Sequence, residues 1–329
     1  MKNFAKKTAS SLIEFSLIIL FVGIFFVAIY QGYFVYLESK LVSAKTLTKN
    51  SIVGRLKNHV FWFETTLDES FNNGENSENN PISKWNNVKI QVENSVNFYA
   101  PQNTDPNSFN YEPNSIINIS GPKYKKYGIN GLPTLNFVNS SIISQFLVTD
   151  LNNKIIGNDD FYLYLVAEID EFSKNATIFD NVCLKTNNGA TSDVNLAVNN
   201  CNPKLTMKVD PLGNVNNLVS NNLGDKQVET EIFYSLKPKA YIFSLHRIYG
   251  SKFAFEVDGE RILYDKNDEL GDVSFLPIKL GRNGIVSDVK SEINISEFIV
   301  INGSITALQK KEIENYLAKK FNIKIKNNS

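Results

Sequence analysis

The sequence predicts a mainly β protein in which a long N-terminal α-helix leads into a large β-sandwich that ends with a closing helix. Three observations predict it. Phe15 to Leu37 is an apolar run without a formal charge, far too long for a strand. From His59 onward, short apolar runs alternate with Asn, Asp, Gly, Ser and Pro, the texture of strands and turns. Only the stretch after Thr306 returns to a helical period.

Composition bounds the rest. With 43% hydrophobic and 21% charged residues in a chain of 329, a full core can form and wholesale disorder is excluded. Thirty-four basic and thirty-four acidic residues (Lys+Arg 34, Asp+Glu 34) remove the electrostatic case for a dedicated nucleic-acid binder. Two cysteines and two histidines, widely separated, exclude a disulfide-dense scaffold and a close-spaced zinc site.

At about 1.5 Å per residue the apolar run covers roughly 35 Å, somewhat more than a hydrocarbon core of about 30 Å. A secretory signal would carry an apolar region of only about 7–15 residues before its cut. Here Tyr30, Gln31 and Glu38 lead straight into further helix-like sequence, so the segment is expected to remain as an anchor. Lys2, Lys6 and Lys7 precede it, and the positive-inside rule keeps those residues cytoplasmic and exports the C-terminal part. Glu14 sits at the edge of the run. It would cost about 2.5–3.5 kcal/mol at the bilayer centre and much less near the interface, so it is expected to have a partner. Past the bilayer, Leu41, Ala44 or Lys45, and Leu47 or Thr48 fall near one face. The helix is therefore expected to run from about Ser10 to Lys49, on the order of 60 Å, with Asn50-Ser51 and Gly54 breaking it.

In the globular part, Phe161–Ile169, Ala240–Ile248, Lys252–Val257, Arg261–Tyr264, Val273–Leu280 and Glu292–Ile301 have the length and side-chain branching of strands. Val257-Asp258-Gly259-Glu260 reads as a type I′ hairpin turn, because Asp-Gly accepts positive φ. About a dozen such strands would suit a two-sheet sandwich. Thr306 caps the last helix, whose Leu308, Ile313, Tyr316, Leu317 and Phe321 line one face.

Two resemblances add to this reading. The short basic leader, a small residue, Ser10-Ser11-Leu12-Ile13-Glu14-Phe15 and the apolar helix together resemble the class III signal of type IV pilins and pseudopilins. The Glu14-Phe15 pair is also similar to the pilin-like proteins of tight-adherence secretion systems. The resemblance implies a cut between Ala9, where the family usually has glycine, and Ser10, where it commonly has phenylalanine. Glu14 then becomes the fifth mature residue and a subunit-packing partner for a neighbour's Ser10 amine. Separately, Ile295–Thr306 with the helix after it, Tyr127–Phe137 and Leu280-Gly281-Arg282 resemble the concanavalin A-like, laminin-G-type jelly rolls. Trp62–Thr66 and Trp85 stand where the first strand and following loop of such domains begin. The implied division is a leader at 1–9, a transmembrane and stalk helix at 10–56, a sandwich at 57–325 and a tail at 326–329.

That fold class holds glucanases, which use three acids on alternate residues of one strand, as retaining hydrolysis requires. Glu168 and Asp170 alternate correctly, but Phe172 follows on that face and Glu171 points the other way. No catalytic residue and no enzyme activity are expected, and Glu168 reads as a strand edge running into a solvated turn. His246 has only the distant His59 as a second histidine and is expected to be a satisfied or exposed structural residue. Asn158-Asp159-Asp160 offer oxygens to a calcium ion, yet show no defined ligand spacing, so solvated turns are favoured and no cofactor is assigned. Cys183 and Cys201, in a segment placed outside the cytoplasm, are expected to form a disulfide contributing on the order of 3 kcal/mol.

These readings converge on a pilin-like subunit, a minor pilin or pseudopilin, displaying a lectin-like head for adhesion. The alternatives are a membrane-anchored carbohydrate-binding module and, behind it, a degraded glucanase. The implied partners are other pilin-like subunits, a prepilin peptidase and a glycan or environmental surface. The implied location is the bacterial inner membrane, spanned once, with the head exported and, on assembly, carried into a surface pilus.

Overall fold

The computed structural model describes residues 2–89, 96–101, 118–140, 142–149, 160–169, 171, 173–174, 176–181, 204–210, 214–223, 226–235, 239–248, 252–265, 278–281 and 291–326. Helix α1 spans Lys2–Lys49, a short α2 spans Ile52–Arg55 and α3 spans Ala307–Phe321. The strands, in chain order, begin with β1 His59–Glu64, β2 Lys84–Trp85, β3 Phe98–Tyr99, β4 Asn118–Ser120, β5 Lys123–Lys125 and β6 Thr134–Asn139. They continue with β7 Ile143–Gln145, β8 Leu147–Thr149, β9 Phe161–Ile169, β10 Thr177–Asn181, β11 Lys204–Val209 and β12 Asn214–Leu223. The last are β13 Lys226–Ser235, β14 Lys239–Ile248, β15 Lys252–Val257, β16 Glu260–Asp265, β17 Ile278–Leu280 and β18 Ser291–Asn302.

Two sheets form. The first runs β16-β15-β14-β9-β18-β6-β7-β4, with β1 also paired to β18 and β5 to β6; the second runs β13-β12-β11-β10-β17-β8-β3-β2. Pairing is antiparallel except between β4 and β7. Successive strands β8, β9 and β10 alternate between the sheets, as a jelly-roll sandwich requires. The 12-residue β18 is the spine: β9 lies along one side, while β6 takes the first half of the other side and β1 the second half.

Alternation along the strands builds two hydrophobic layers from one sheet. In β9, Phe161, Leu163, Leu165, Ala167 and Ile169 face the second sheet and join Phe63, Phe98, Phe179, Leu280 and Phe298 in the inner core. Tyr162, Tyr164 and Val166 point the other way, into an outer layer with Trp62, Ile299, Ile301, Ala44 of α1, Val53 of α2, and Ile313, Leu317 and Phe321 of α3. Each such side chain fully buried contributes about 1.5–3 kcal/mol. The first sheet is therefore apolar on both faces, and it needs α3 and the end of the stalk to cover it.

The expected hairpin is present: Asp258 (φ 51°) and Gly259 (φ 77°) both take positive φ, and Val257 pairs with Glu260. The stalk helix ends at Lys49, and Asn50-Ser51 break it as expected, whereas Gly54, expected to share in the break, lies within α2. Strands are more numerous than the sequence suggested, because two- and three-residue pieces such as β2, β3 and β4 carry no readable period. Cys183, Cys201, Asn158, Asp159, Asp170, Phe172, Arg282 and 273–277 lie outside the described residues.

Candidate functional site

From Leu12 to Tyr36 the large apolar residues of α1 are exposed, Phe15 and Phe21 at 63% and Val35 at 68%, except half-buried Phe34. At the next residue this changes. Leu37 (3%), Ala44 (2%) and Thr48 (1%) are buried against the head, the i, i+7, i+11 face of one helix. The stalk therefore continues into the head, and its seat holds the most distinctive chemistry among the described residues.

Beneath that seat lie three ionisable side chains with no exposure, Glu64, Glu297 and Lys320. Register explains why they meet. β1 pairs with β18 so that Glu64 stands directly opposite Glu297, an arrangement that like charges make unfavourable. A cation from another element has to resolve it, and α3 supplies one. Lys320 falls on the apolar stripe of α3, four residues after Tyr316. Its Nζ donates to Glu64 Oε2 at 2.9 Å, to Glu297 Oε2 at 2.9 Å and to the Tyr316 hydroxyl at 3.2 Å, which spends all three protons.

The remaining carboxylate oxygens are also satisfied. Glu64 accepts from the Thr66 amide (2.8 Å) and hydroxyl, the Leu67 amide (2.6 Å) and Ser70 Oγ (2.9 Å). Glu297 Oε1 accepts from Trp62 Nε1 at 2.7 Å and from the Tyr316 hydroxyl at 2.8 Å. Thr48 of the stalk closes the network, its hydroxyl donating to the Ala44 carbonyl at 3.0 Å and lying 3.3 Å from Tyr316 Oη.

The two acids differ in their electrostatics. Burial works to raise Glu64, but Lys320 and the bonds from Thr66 hold it below the ordinary carboxylate value. Burial, reinforced by the neighbouring Glu64, raises Glu297 despite Lys320. Burial would lower Lys320, yet Glu297 and Glu64 lift it above an ordinary lysine. Burial and both acids push the Tyr316 phenol well up. The site is thus a buried, charge-paired clamp joining β1, β18, α3 and α1.

A second ionic contact holds the other end of α3. Lys310 Nζ donates to Glu256 of β15 at 2.7 Å, and Arg261 reaches the same carboxylate at 3.3 Å. Beneath it His246 is buried between Tyr162 and Tyr164, ring centroids 4.9 and 5.6 Å away. Both its ring nitrogens lack a hydrogen-bond partner, so it is neither satisfied nor exposed as the sequence suggested: its face of β14 is the one α3 covers. Burial lowers its pKa to about 3.

The sequence-predicted residues are scattered. Ala9 and Ser10 lie within α1, and Glu14 is exposed near its start. Glu168 is half-buried and accepts from Asn294 Nδ2 at 2.9 Å. Its strand is no sheet edge, since β14 and β18 flank it on both sides. Among the described residues no group of three or more His, Cys, Asp or Glu converges as a metal site. Glu64, Glu297 and Lys320 went unread in the sequence, although Lys320 interrupts an otherwise apolar helix face.

No protein-family model matches the chain, and no curated protein matches it. Among solved structures it is similar to the receptor-binding domain of botulinum neurotoxin D (11% identity over 79% of this chain and 52% of that one, TM-score 0.46). The binding domain of serotype D/C has 13% identity, covering 56% and 43%, with a TM-score of 0.41. The DC binding domain in complex with SialylT has 14% identity, covering 56% and 42%, with a TM-score of 0.41. The chain thus spans about half, or less, of the length of these neighbours.

Proposed function

We propose that this chain is a membrane-anchored display protein, a pilin-like subunit whose stalk helix holds a sandwich head outside the bilayer for adhesion or surface contact, without catalysis. One observation carries the reading: a single 48-residue helix is apolar and exposed where a bilayer would surround it and is clamped to the head immediately beyond. An exposed apolar surface of that extent needs lipid or neighbouring helices. A clamped stalk orients the head, where a flexible linker would leave it free. The prepilin-like signal supports assembly with similar subunits after cleavage between Ala9 and Ser10.

Alkaline extraction of membranes from expressing cells, followed by sequencing of the mature N-terminus, tests both parts. Retention in the membrane with Ser10 as the first residue supports the proposal. Release into the soluble fraction removes the anchor; retention with an intact Met1 leaves an anchor but removes the pilin-like processing. Glycan screening of the solubilised protein then separates a general contact surface from a carbohydrate-binding module.

A further inference from the structure

The apolar run is longer than a hydrocarbon core, and the excess lies where the head begins. From Phe15 to Phe34 the helix rises about 29 Å, close to the roughly 30 Å of hydrocarbon. With Phe15 at one boundary, Phe34 stands at the other, and Val35 to Leu37 lie above it. At this level Tyr30, Tyr33 and Tyr36 are 64%, 57% and 60% exposed. Tyr30 and Tyr33 pack edge-on to Phe34, with centroids at 4.7 and 6.2 Å. Such a band of amphipathic rings belongs in the headgroup layer.

One part of the head reaches the same level. The loop 126–131 places Tyr127 edge-on to Phe34 at 6.2 Å, and its hydroxyl donates to Glu38 at 3.1 Å. Lys126 Nζ lies 5.1 Å over the Tyr127 ring and donates to Glu38 at 2.6 Å, leaving its other protons for further acceptors. The loop is held rigidly. Ile129 and Leu132 are fully buried in the outer layer, Asn130 donates to the Phe321 carbonyl at 2.6 Å, and Lys40 of the stalk donates to the Asn130 carbonyl. Asn130 (φ 50°) and Gly131 (φ 78°) make the tight turn that brings the backbone against Leu37.

We infer that the loop 126–131 is a lipid-facing foot: Tyr127 and Lys126 sit in the headgroup layer of the leaflet from which the stalk emerges. They fix the height and tilt of the head above that leaflet. Half-exposed Tyr127 extends the aromatic band of the stalk, and the Lys126 ammonium meets lipid phosphates. The inference rests on the reading that α1 spans a bilayer.

The test uses the full-length protein reconstituted into phosphatidylcholine–phosphatidylglycerol vesicles whose acyl chains are brominated near the headgroup. Tyr127→Trp and, separately, Tyr33→Trp are compared with the wild type, whose buried Trp62 and Trp85 supply the background. The expected result is a blue shift and a loss of emission at both new positions relative to unbrominated vesicles. Quenching at 33 without quenching at 127 overturns the foot while leaving the anchor intact. Quenching at neither position overturns both. A residue 127 shielded from aqueous acrylamide yet not quenched by bromine means that a neighbouring copy covers the loop, and that also overturns the foot.

Discussion

Replacing Lys320 with methionine keeps the length and apolar stem of the side chain and removes only the ammonium. Two carboxylates, paired across β1 and β18 and without exposure, then face each other with no cation. Breaking a buried ion pair by deleting one partner costs about 3–5 kcal/mol. Here a single ammonium serves two acids, so a loss of about 5 kcal/mol is expected, a large part of a total stability of about 5–15 kcal/mol. The loss has a pH signature. In the wild type, Glu64 is held below the ordinary carboxylate value, so its contribution is present above that value and is lost as pH falls through the depressed one. Lys320 is raised, so its contribution persists up to the ordinary lysine range and disappears only as pH climbs through the raised value. Raised Glu297 imposes a cost that sets in as pH rises past the ordinary carboxylate value. Without Lys320 both acids move up, the folded state gains protons relative to the unfolded one, and the deficit grows from pH 5 to pH 8. Urea unfolding of the detergent-solubilised protein at both pH values measures it. Adding Glu64→Gln and Glu297→Gln should recover much of the loss, because a buried network without charge has little to desolvate. A deficit under about 1 kcal/mol, one that is equal at both pH values, or a triple variant no better than the single would refute the clamp.

Thr306→Ala removes a reciprocal cap, in which Thr306 Oγ1 accepts from the Gln309 amide at 3.1 Å and Gln309 Oε1 accepts from the Thr306 amide at 2.8 Å. A loss of about 1 kcal/mol is expected by urea unfolding at neutral pH. His246→Phe should leave neutral-pH stability equal or higher, since two unpartnered buried nitrogens disappear. It should also flatten the acid limb: wild-type His246 is depressed from 6.5 to about 3, so stability falls as pH drops across that interval. The fall amounts to as much as about 5 kcal/mol, and melting curves at several pH values check it. Removing residues 1–32 should leave the melting temperature of the solubilised protein unchanged. Removing 1–56 uncovers the outer layer by deleting Leu37, Ala44, Val53 and Leu56, each at most 5% exposed, and should cost at least about 5 kcal/mol.

What could be read from the sequence depended on whether the signal was local. The end of the stalk at Asn50-Ser51, the Asp258-Gly259 turn and the Thr306 cap are written in a few adjacent residues, and each lies where those residues indicate. The long strands β9, β14 and β18 were readable from branching and length. The clamp was only partly so. Lys320 shares the spacing of Tyr316 and Leu317, a cation on a face that must be buried, and that alone marks it. Glu297 was hidden by a register shift in β18 between Ile295 and Glu297. Strict alternation from inward-facing Ile295 turns Glu297 into the inner core, whereas the irregularity sends it to the outer layer beside Trp62. Nor does any local feature announce that β1 pairs with β18, because that partnership is tertiary. The contact of Tyr127 with Phe34 and Glu38 was likewise unreadable, since it depends on where the loop 126–131 docks along the stalk.

The pairing of β1 with β18 also has a consequence in time. Trp62 and Glu297, bonded in the finished head, are 235 residues apart in the chain. At a synthesis rate of about 5–20 residues per second, on the order of ten to fifty seconds separate their appearance. Throughout that interval α1 and α2 have already been made, while β1 waits beside them with no partner strand and without α3 to complete the cover over its tryptophan. Contacts so distant in sequence close slowly, and unpaired edges held that long invite mispairing with neighbouring chains. Until residue 320 emerges the nascent head is therefore open to mispairing, which the stability of its final state does nothing to prevent.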